Sequence, residues 1–432
     1  MTPAAHKMLI VILVVLVGAC LLDVIINWLN VRQMTTRLPS ECEGYYDAAR
    51  YQTAQDYLRA NTWFAMVKTV IFTALIVAFI LAGGFALVDQ AARHFQAGTI
   101  VTGLIFAGLL MVPVFFIQLP FAVYETFVIE ECYGFNRMTV GTFVLDLLKS
   151  TALAGVLGAL ALALVLWFFE KAGMWAWVYA WLGLFGFQLF LVFIAPVAIM
   201  PLFNKFVPLP AGELRQAIET YARSQDFKMQ GVYTMDGSKR SSKANAMFTG
   251  FGRFRRIVLY DTLIQKHTVP ELVSVLAHEI GHYQRHHIFF FLLISLAGSG
   301  LMFFVLSLII RAPALFQAFG VVRPSVYAGI VFFGLLYTPI DMTLSVFSNW
   351  VSRQFEYEAD AFAVASLNQP ESMIAALKKL SVDNLANLTP HPLKVVFDYS
   401  HPPVLQRIAA IRRRDEARCQ RSEVRSQENN GR

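Results

Sequence analysis

His278-Glu279-Ile280-Gly281-His282 places two imidazoles and a carboxylate at a spacing that can do chemistry. On a helix, residues four apart lie one turn apart on one face. Both imidazoles can then grip one divalent ion while the glutamate between them takes a proton from water. Pro270-Glu271-Leu272-Val273-Ser274-Val275-Leu276-Ala277 supplies the helix, with Pro and Glu early and apolar Leu272, Val275 and Leu276 at helical spacing. With nine histidines in the chain, such a pattern arises by chance in roughly one chain in a hundred of this composition. A metal centre therefore needs a third ligand.

Ser352-Arg353-Gln354-Phe355-Glu356-Tyr357-Glu358-Ala359-Asp360 can supply it. On a helix Glu356 and Asp360 share a face and Glu358 points nearly opposite, so one carboxylate can ligate Zn²⁺ beside His278 and His282 while the other holds a ligand imidazole from behind. Glu356 is read as the ligand and Asp360 as the support. A solvated acidic helix start accounts for the spacing alone equally well. The longer H-E-x-x-H-x-x-G-x-x-H pattern fails, because Arg285 and Ile288 occupy the places of its Gly and last His. His286 and His287 have no metal spacing to a partner and read as interfacial residues opening an apolar run.

The elements that position these groups are written in the composition. Hydrophobic residues make up 56% of the chain and charged ones 15%, which excludes a soluble protein of this size. Apolar runs lie at about Met8 to Trp28, Trp63 to Val88, Ile100 to Val123, Thr151 to Phe169, Trp175 to Met200, Ile288 to Ile310 and Tyr327 to Val346. Each can cross roughly 30 Å of hydrocarbon. The first is too long for a signal-peptide core and is followed by more apolar sequence instead of a cleavable start. With the C-terminus cytoplasmic, Lys7, Arg93, Lys171, Arg311 and Arg323 lie outside, and Arg32, Arg37, Arg50, Arg59, Arg137 and Lys149 lie in short inside loops. The formal charge of +7 thus reflects membrane topology, and no basic patch with interleaved aromatics points to nucleic acid. Cys20, Cys42, Cys132 and Cys419 are scattered, forming neither a zinc set nor a disulfide framework.

Between the fifth and sixth runs the texture changes. Ala211 to Phe227 reads as an amphipathic helix, and Val232 to Met235, Ala244 to Phe251 and Arg256 to Tyr260 as short strands, with Gly250-Phe251-Gly252-Arg253 the turn between the last two. The predicted fold is a mainly α membrane protein of about seven transmembrane helices with a small α+β segment carrying the motif. Its expected divisions are a five-helix membrane region over 1–203, a soluble segment over 204–287, helices six and seven over 288–351, a C-terminal segment with the third ligand over 352–414, and a polar, disordered tail over 415–432. Asp23, Lys68, Glu125, Asp146 and Asp341 would be costly against lipid, so each should face a watery interior, a partner charge or an interface.

Several blocks together carry a resemblance: Phe127-Val128-Ile129-Glu130-Glu131 with Tyr133-Gly134-Phe135-Asn136, Pro201 to Phe206, Gly237 to Ser242 with Asn245-Ala246, the motif helix, Ser352 to Asp360, and Tyr399-Ser400-His401-Pro402-Pro403. In this order they resemble the type I CAAX prenyl protease family of integral-membrane zinc metalloproteases. The resemblance implies seven helices around a water-filled chamber, one zinc per chain at its cytoplasmic end, and peptide-bond hydrolysis with Glu279 as the proton acceptor. It also implies that Asn245 and His401 stabilise the developing oxyanion and that Arg353 sits near the metal carboxylates. Read without the family, Asn245 is a polar residue at a strand start and His401 before two prolines is a turn histidine.

The expected partners are the lipid bilayer and a polypeptide, prenylated or simply membrane-associated or misfolded. The expected location is a bacterial inner membrane, or the endoplasmic reticulum in a eukaryote, with the catalytic segments cytoplasmic. Oligomeric state stays open, with a monomer as the default. The rival reading is a membrane chamber that binds or clears polypeptides with little proteolysis.

Overall fold

A computed structural model describes residues 1–249 and 255–430. Among the described residues, seven helices are long and apolar enough to cross a membrane: Pro3–Gln33, Ala48–Leu81, Thr99–Glu130, Val140–Lys171, Gly173–Phe203, His287–Ile309 and Val326–Leu367. They match the seven apolar runs, because an apolar stretch in lipid has no other way to pair its backbone. The exception is the second run, expected to reach Val88, which stops at Leu81; its end belongs to a separate helix, Gly84–His94.

Several of these helices bury residues mainly near their ends. The third span is buried at Thr102, Gly103 and Phe106 and not again until Ile129. The sixth is buried at His287 and then at Phe303 and Leu306, and the seventh at Tyr327 to Phe333 and again from Glu356. One cluster, with Ile12, Ile80, Phe85, Phe106, Leu166, Phe316, Phe319 and Phe332, joins the spans at one end. At the other, Tyr46, Tyr51, Tyr57, Ile129, Phe135, Leu385 and Leu388 join the membrane helices to the C-terminal part.

A four-stranded sheet lies between the fifth and sixth spans, in the order β1 (Phe206–Pro208), β2 (Gly231–Met235), β4 (Arg256–Tyr260) and β3 (Ala246–Thr249). β2 and β4 are parallel, and β1 and β3 run antiparallel to their neighbours. β1 is a strand that the sequence reading missed, since three residues interrupted by Pro208 carry no alternation. Of the expected strand from Ala244 to Phe251, Ala246–Thr249 is strand, while Gly250 and Phe251 and the expected Gly250-Phe251-Gly252-Arg253 turn lie outside the described residues. The amphipathic helix, Glu213–Ser224, packs Ile218, Tyr221 and Ala222 into a core shared with Leu272, Leu276 and Ile280 of the motif helix.

This part is tied to the membrane helices by charge. Arg240 donates to both carboxylate oxygens of Asp146 at 2.7 and 3.0 Å and to Asn204 Oδ1 at 3.0 Å. Lys243 meets Glu130 at 2.9 Å. Among the ionisable residues flagged in the spans, Asp146 thus has a partner charge.

Two expectations about the C-terminal part change. The seventh span does not end near residue 351: one helix of 42 residues carries both the apolar run and Glu356. The tail is not without structure, because the helix beginning at Val404 continues to Asn430. It contains neither Gly nor Pro and is rich in Arg, Glu, Gln and Ala, whose helix propensity outweighs the lack of an apolar face.

Candidate active site

The motif helix, Val269–Gln284, opens with a capping box in which Thr268 and Glu271 satisfy each other's backbone donors, and Pro270 sits in its first turn. Lys379 pairs with Glu271 at 2.8 Å and moors that end. Gly281 lets the helix lie against the seventh: a Cβ there would come within 3.1 Å of Ala359 backbone atoms and 3.2 Å of Phe362. That close crossing brings the imidazoles to Glu356.

The three candidate ligands converge. His282 Nε2 lies 3.1 Å from His278 Nε2, and Glu356 places Oε2 3.3 Å from His278 Nε2 and Oε1 3.2 Å from His282 Nε2. Ligand atoms about 2.0 to 2.1 Å from a tetrahedral ion stand about 3.3 Å apart, so the triangle already has the dimensions of one face of such a site. Glu356 is 4% exposed, and its buried Oε2 makes no hydrogen bond. The nearest groups to it are His278 Nε2 and Arg407 Nη1, each at 3.3 Å, and together with the two imidazole nitrogens the carboxylate makes a donor set that fits a divalent cation.

Behind His278, Nδ1 donates to Asp360 Oδ1 at 2.8 Å, which fixes the tautomer that leaves Nε2 for a metal. Asp360 is held by Arg407, whose Nε donates to Oδ2 at 2.8 Å and Nη2 to Oδ1 at 2.6 Å, while Nη1 stands 3.3 Å from Glu356 Oε2. Burial by itself lowers the pKa of His278, but its bonds to Asp360 and Glu356 prevail and raise it to about 9, so a metal has to displace a proton there. Burial likewise opposes the charge on Arg407, and the Asp360 carboxylate prevails, raising its pKa further.

Arg407 went unread in the sequence. Its signal is an arginine inside the stripe of Val404, Ile408 and Ile411, the two isoleucines being fully buried. Arg353, expected beside the carboxylates, is elsewhere: its Nη1 donates to the carbonyls of Val395 and Tyr399 at 2.9 and 2.7 Å. It steadies the segment that delivers His401, and Arg407 has the place foreseen for it. The physical reason is the partner available: Arg353 lies one turn before Glu356 on the same helix, and the carbonyls at the end of the helix Pro392–Asp398 take its guanidinium.

His401 Nε2 lies 3.3 Å from Glu356 Oε1, its side chain is 64% exposed, and Ser400 Oγ is 2.9 Å from its Nδ1. Asn245 immediately precedes edge strand β3; its Oδ1 accepts from Ala246 N at 2.8 Å and its carbonyl from Tyr260 N at 3.2 Å. Both line a cavity of about 200 Å³ with His278, Glu279, Glu356 and Arg407. Burial raises the pKa of Glu279, against the opposing pull of His278 and His282.

His287 is not interfacial. It is 1% exposed, and its Nδ1 lies 2.9 Å from His282 Nδ1. The reading that looked only for metal spacing missed it, because the contact depends on a left-handed residue, His286 at φ 57°, that no helical template anticipates.

Seven helices fit to cross a membrane, joined to a His-Glu-x-x-His helix and a carboxylate placed as third ligand, define a multi-pass membrane metalloendopeptidase. The model of the CAAX prenyl protease N-terminal region, with five membrane helices, matches residues 27–205, and that of peptidase family M48 matches residues 208–415. CAAX prenyl protease 1 of Saccharomyces cerevisiae is 34% identical over 402 residues, covering 87% of this chain and 88% of the yeast protein. A CAAX prenyl protease 1 homolog of Homo sapiens is 35% identical over 333 residues, covering 68% of this chain and 70% of its own. The crystal structure of S. mikatae Ste24p superposes with a TM-score of 0.89 at 31% identity, over 95% of this chain and 99% of that one. The chain belongs to peptidase family M48, among the CAAX prenyl proteases.

Proposed function

We propose that this protein is a zinc endopeptidase cutting near the membrane surface, with His278, His282 and Glu356 as the metal ligands and Glu279, His401 and Asn245 acting on the substrate. What carries the reading is the triangle of ligand atoms 3.1 to 3.3 Å apart, two of whose residues, His278 and Glu356, line one cavity with Glu279. Zinc in that triangle supplies a Lewis acid that polarises a carbonyl and acidifies water. Glu279 accepts the water proton and returns it to the leaving amine, and its raised pKa suits both transfers. His401 donates to the oxyanion as it develops. Asn245 Oδ1 accepts from Ala246 N, so the amide NH₂, which also meets Tyr260, is that side chain's donor to the same oxygen. An extended peptide can pair with the edge of β3 through main-chain hydrogen bonds.

Asp360 and Arg407 orient His278. Asp360→Ala should weaken zinc binding by about 10- to 100-fold, the usual cost of losing the partner of a ligand imidazole. Chelator competition on the purified chain measures it, and unchanged affinity would remove Asp360 from the support of the site.

The substrate proposed is a prenylated CAAX-type protein, as the relatives' names state for them, or a membrane-associated polypeptide. The catalytic segments face the cytoplasm on the Lys and Arg distribution. Detergent-purified protein should contain one zinc per chain and cleave a CAAX peptide in a chelator-sensitive way, faster with the prenyl group than without. One zinc per chain with no cleavage of either peptide would favour the binding-chamber reading.

A further inference from the structure

His282 has a problem that His278 does not. With Nε2 turned to Glu356 and His278, its Nδ1 must carry the proton, and that N–H needs an acceptor. For His278 the acceptor is the buried Asp360 carboxylate. For His282, no carboxylate among the described residues meets Nδ1; the atom at 2.9 Å is His287 Nδ1.

We infer that His287 is a positioning residue for the metal site, a neutral imidazole that accepts from His282 Nδ1–H and passes the requirement on to Glu358. If His287 Nδ1 accepts, its own proton lies on Nε2, and Glu358 Oε2 is 3.2 Å from that atom. Each member thereby dictates the tautomer of the one before it. The ring is fixed as well: it stacks on Phe355 with centroids 4.0 Å apart and planes 5° from parallel, and Phe291 closes on Phe355 edge-on at 5.2 Å. His287 lies five positions after His282, which in a continuous helix would carry it about 140° around the axis. The left-handed His286 breaks the motif helix from the sixth span and makes the contact. Phe355 and Glu358 flank Glu356 on the seventh helix, so the same element presents the third ligand and the support of the second.

The two imidazoles are thus held unequally, one by a buried carboxylate braced by Arg407, the other by a neutral ring whose charge partner, Glu358, is 49% exposed. The inference rests on His282 being a metal ligand. Its test compares amides: an Asn carbonyl can stand where Nδ1 stands and accept, whereas a Gln carbonyl reaches the place of Nε2. Zinc affinity of the full-length chain would be measured by chelator competition for the parent, His287→Asn, His287→Gln and His287→Phe, with cobalt absorption spectra and metal-free melting temperatures.

The expected result is that the Gln and Phe variants lose about 10- to 100-fold in affinity and show altered cobalt spectra, while Asn stays within about threefold of the parent and the metal-free melting temperatures agree. Equal affinities for Asn and Gln, or a Phe variant that binds like the parent, would overturn it. If Phe does not fold, the Asn and Gln pair decides alone. A parent chain that binds no zinc would instead overturn the metal-centre reading, which separates the two failures.

Discussion

Glu279→Gln is expected to keep its zinc and lose about 10²- to 10⁴-fold in kcat, the span attributable to a positioned general base. The amide has the shape of the carboxylate but cannot take a proton. The atoms that would hold the metal are elsewhere, in His278, His282 and Glu356, whose mutual spacing does not involve Glu279. Burial already raises the pKa of this carboxyl, so the neutral Gln imposes no new desolvation and should not disturb folding. Metal content by mass spectrometry together with single-turnover cleavage separates the possibilities. Loss of metal along with activity would put Glu279 in the ligand sphere, and a variant with parental turnover would give proton transfer to another group.

His401→Ala should lower kcat and kcat/KM together by about 10²- to 10³-fold, with zinc occupancy and KM nearly unchanged. A donor that meets the substrate oxygen only as it becomes an oxyanion contributes to the transition state and not to the ground state, so affinity for uncleaved peptide is spared. The structure sets this apart from a structural role. At 64% exposure the side chain fills no core space, and the segment before it is steadied from below by Arg353 through the carbonyls of Val395 and Tyr399. Truncation therefore leaves no buried cavity. A raised KM with normal kcat would mean that His401 only binds substrate; loss of fold would mean that it clamps the Pro402-Pro403 corner.

The limits of sequence reading fall at particular residues. Arg353 and Arg407 are both arginines in helices near the site, and neither spacing nor composition says which one meets Asp360. The partner within reach of each guanidinium decides, and that is a property of packing. His287 looked like the polar edge of a span because its contact with His282 runs through a reversed residue and is completed by Phe355, some seventy positions away. The tail was read as disordered from its lack of apolar residues, although unbroken helix formers suffice to extend a helix that Ile408 and Ile411 anchor.

Local chemistry settled what depends on neighbours along the chain. Seven apolar runs had to become helices because lipid offers no other backbone partner, and the two imidazoles of His278 and His282 had to share a face because four residues make about one turn. The candidacy of Glu356 and Asp360 follows from the same periodicity. Tertiary structure alone decided what depends on the crossing of two helices at Gly281: which carboxylate closes the triangle, which arginine braces Asp360, and which imidazole stands behind His282. Distances of about 3 Å between residues 70 to 130 positions apart are fixed by side-chain packing, and no local periodicity encodes them.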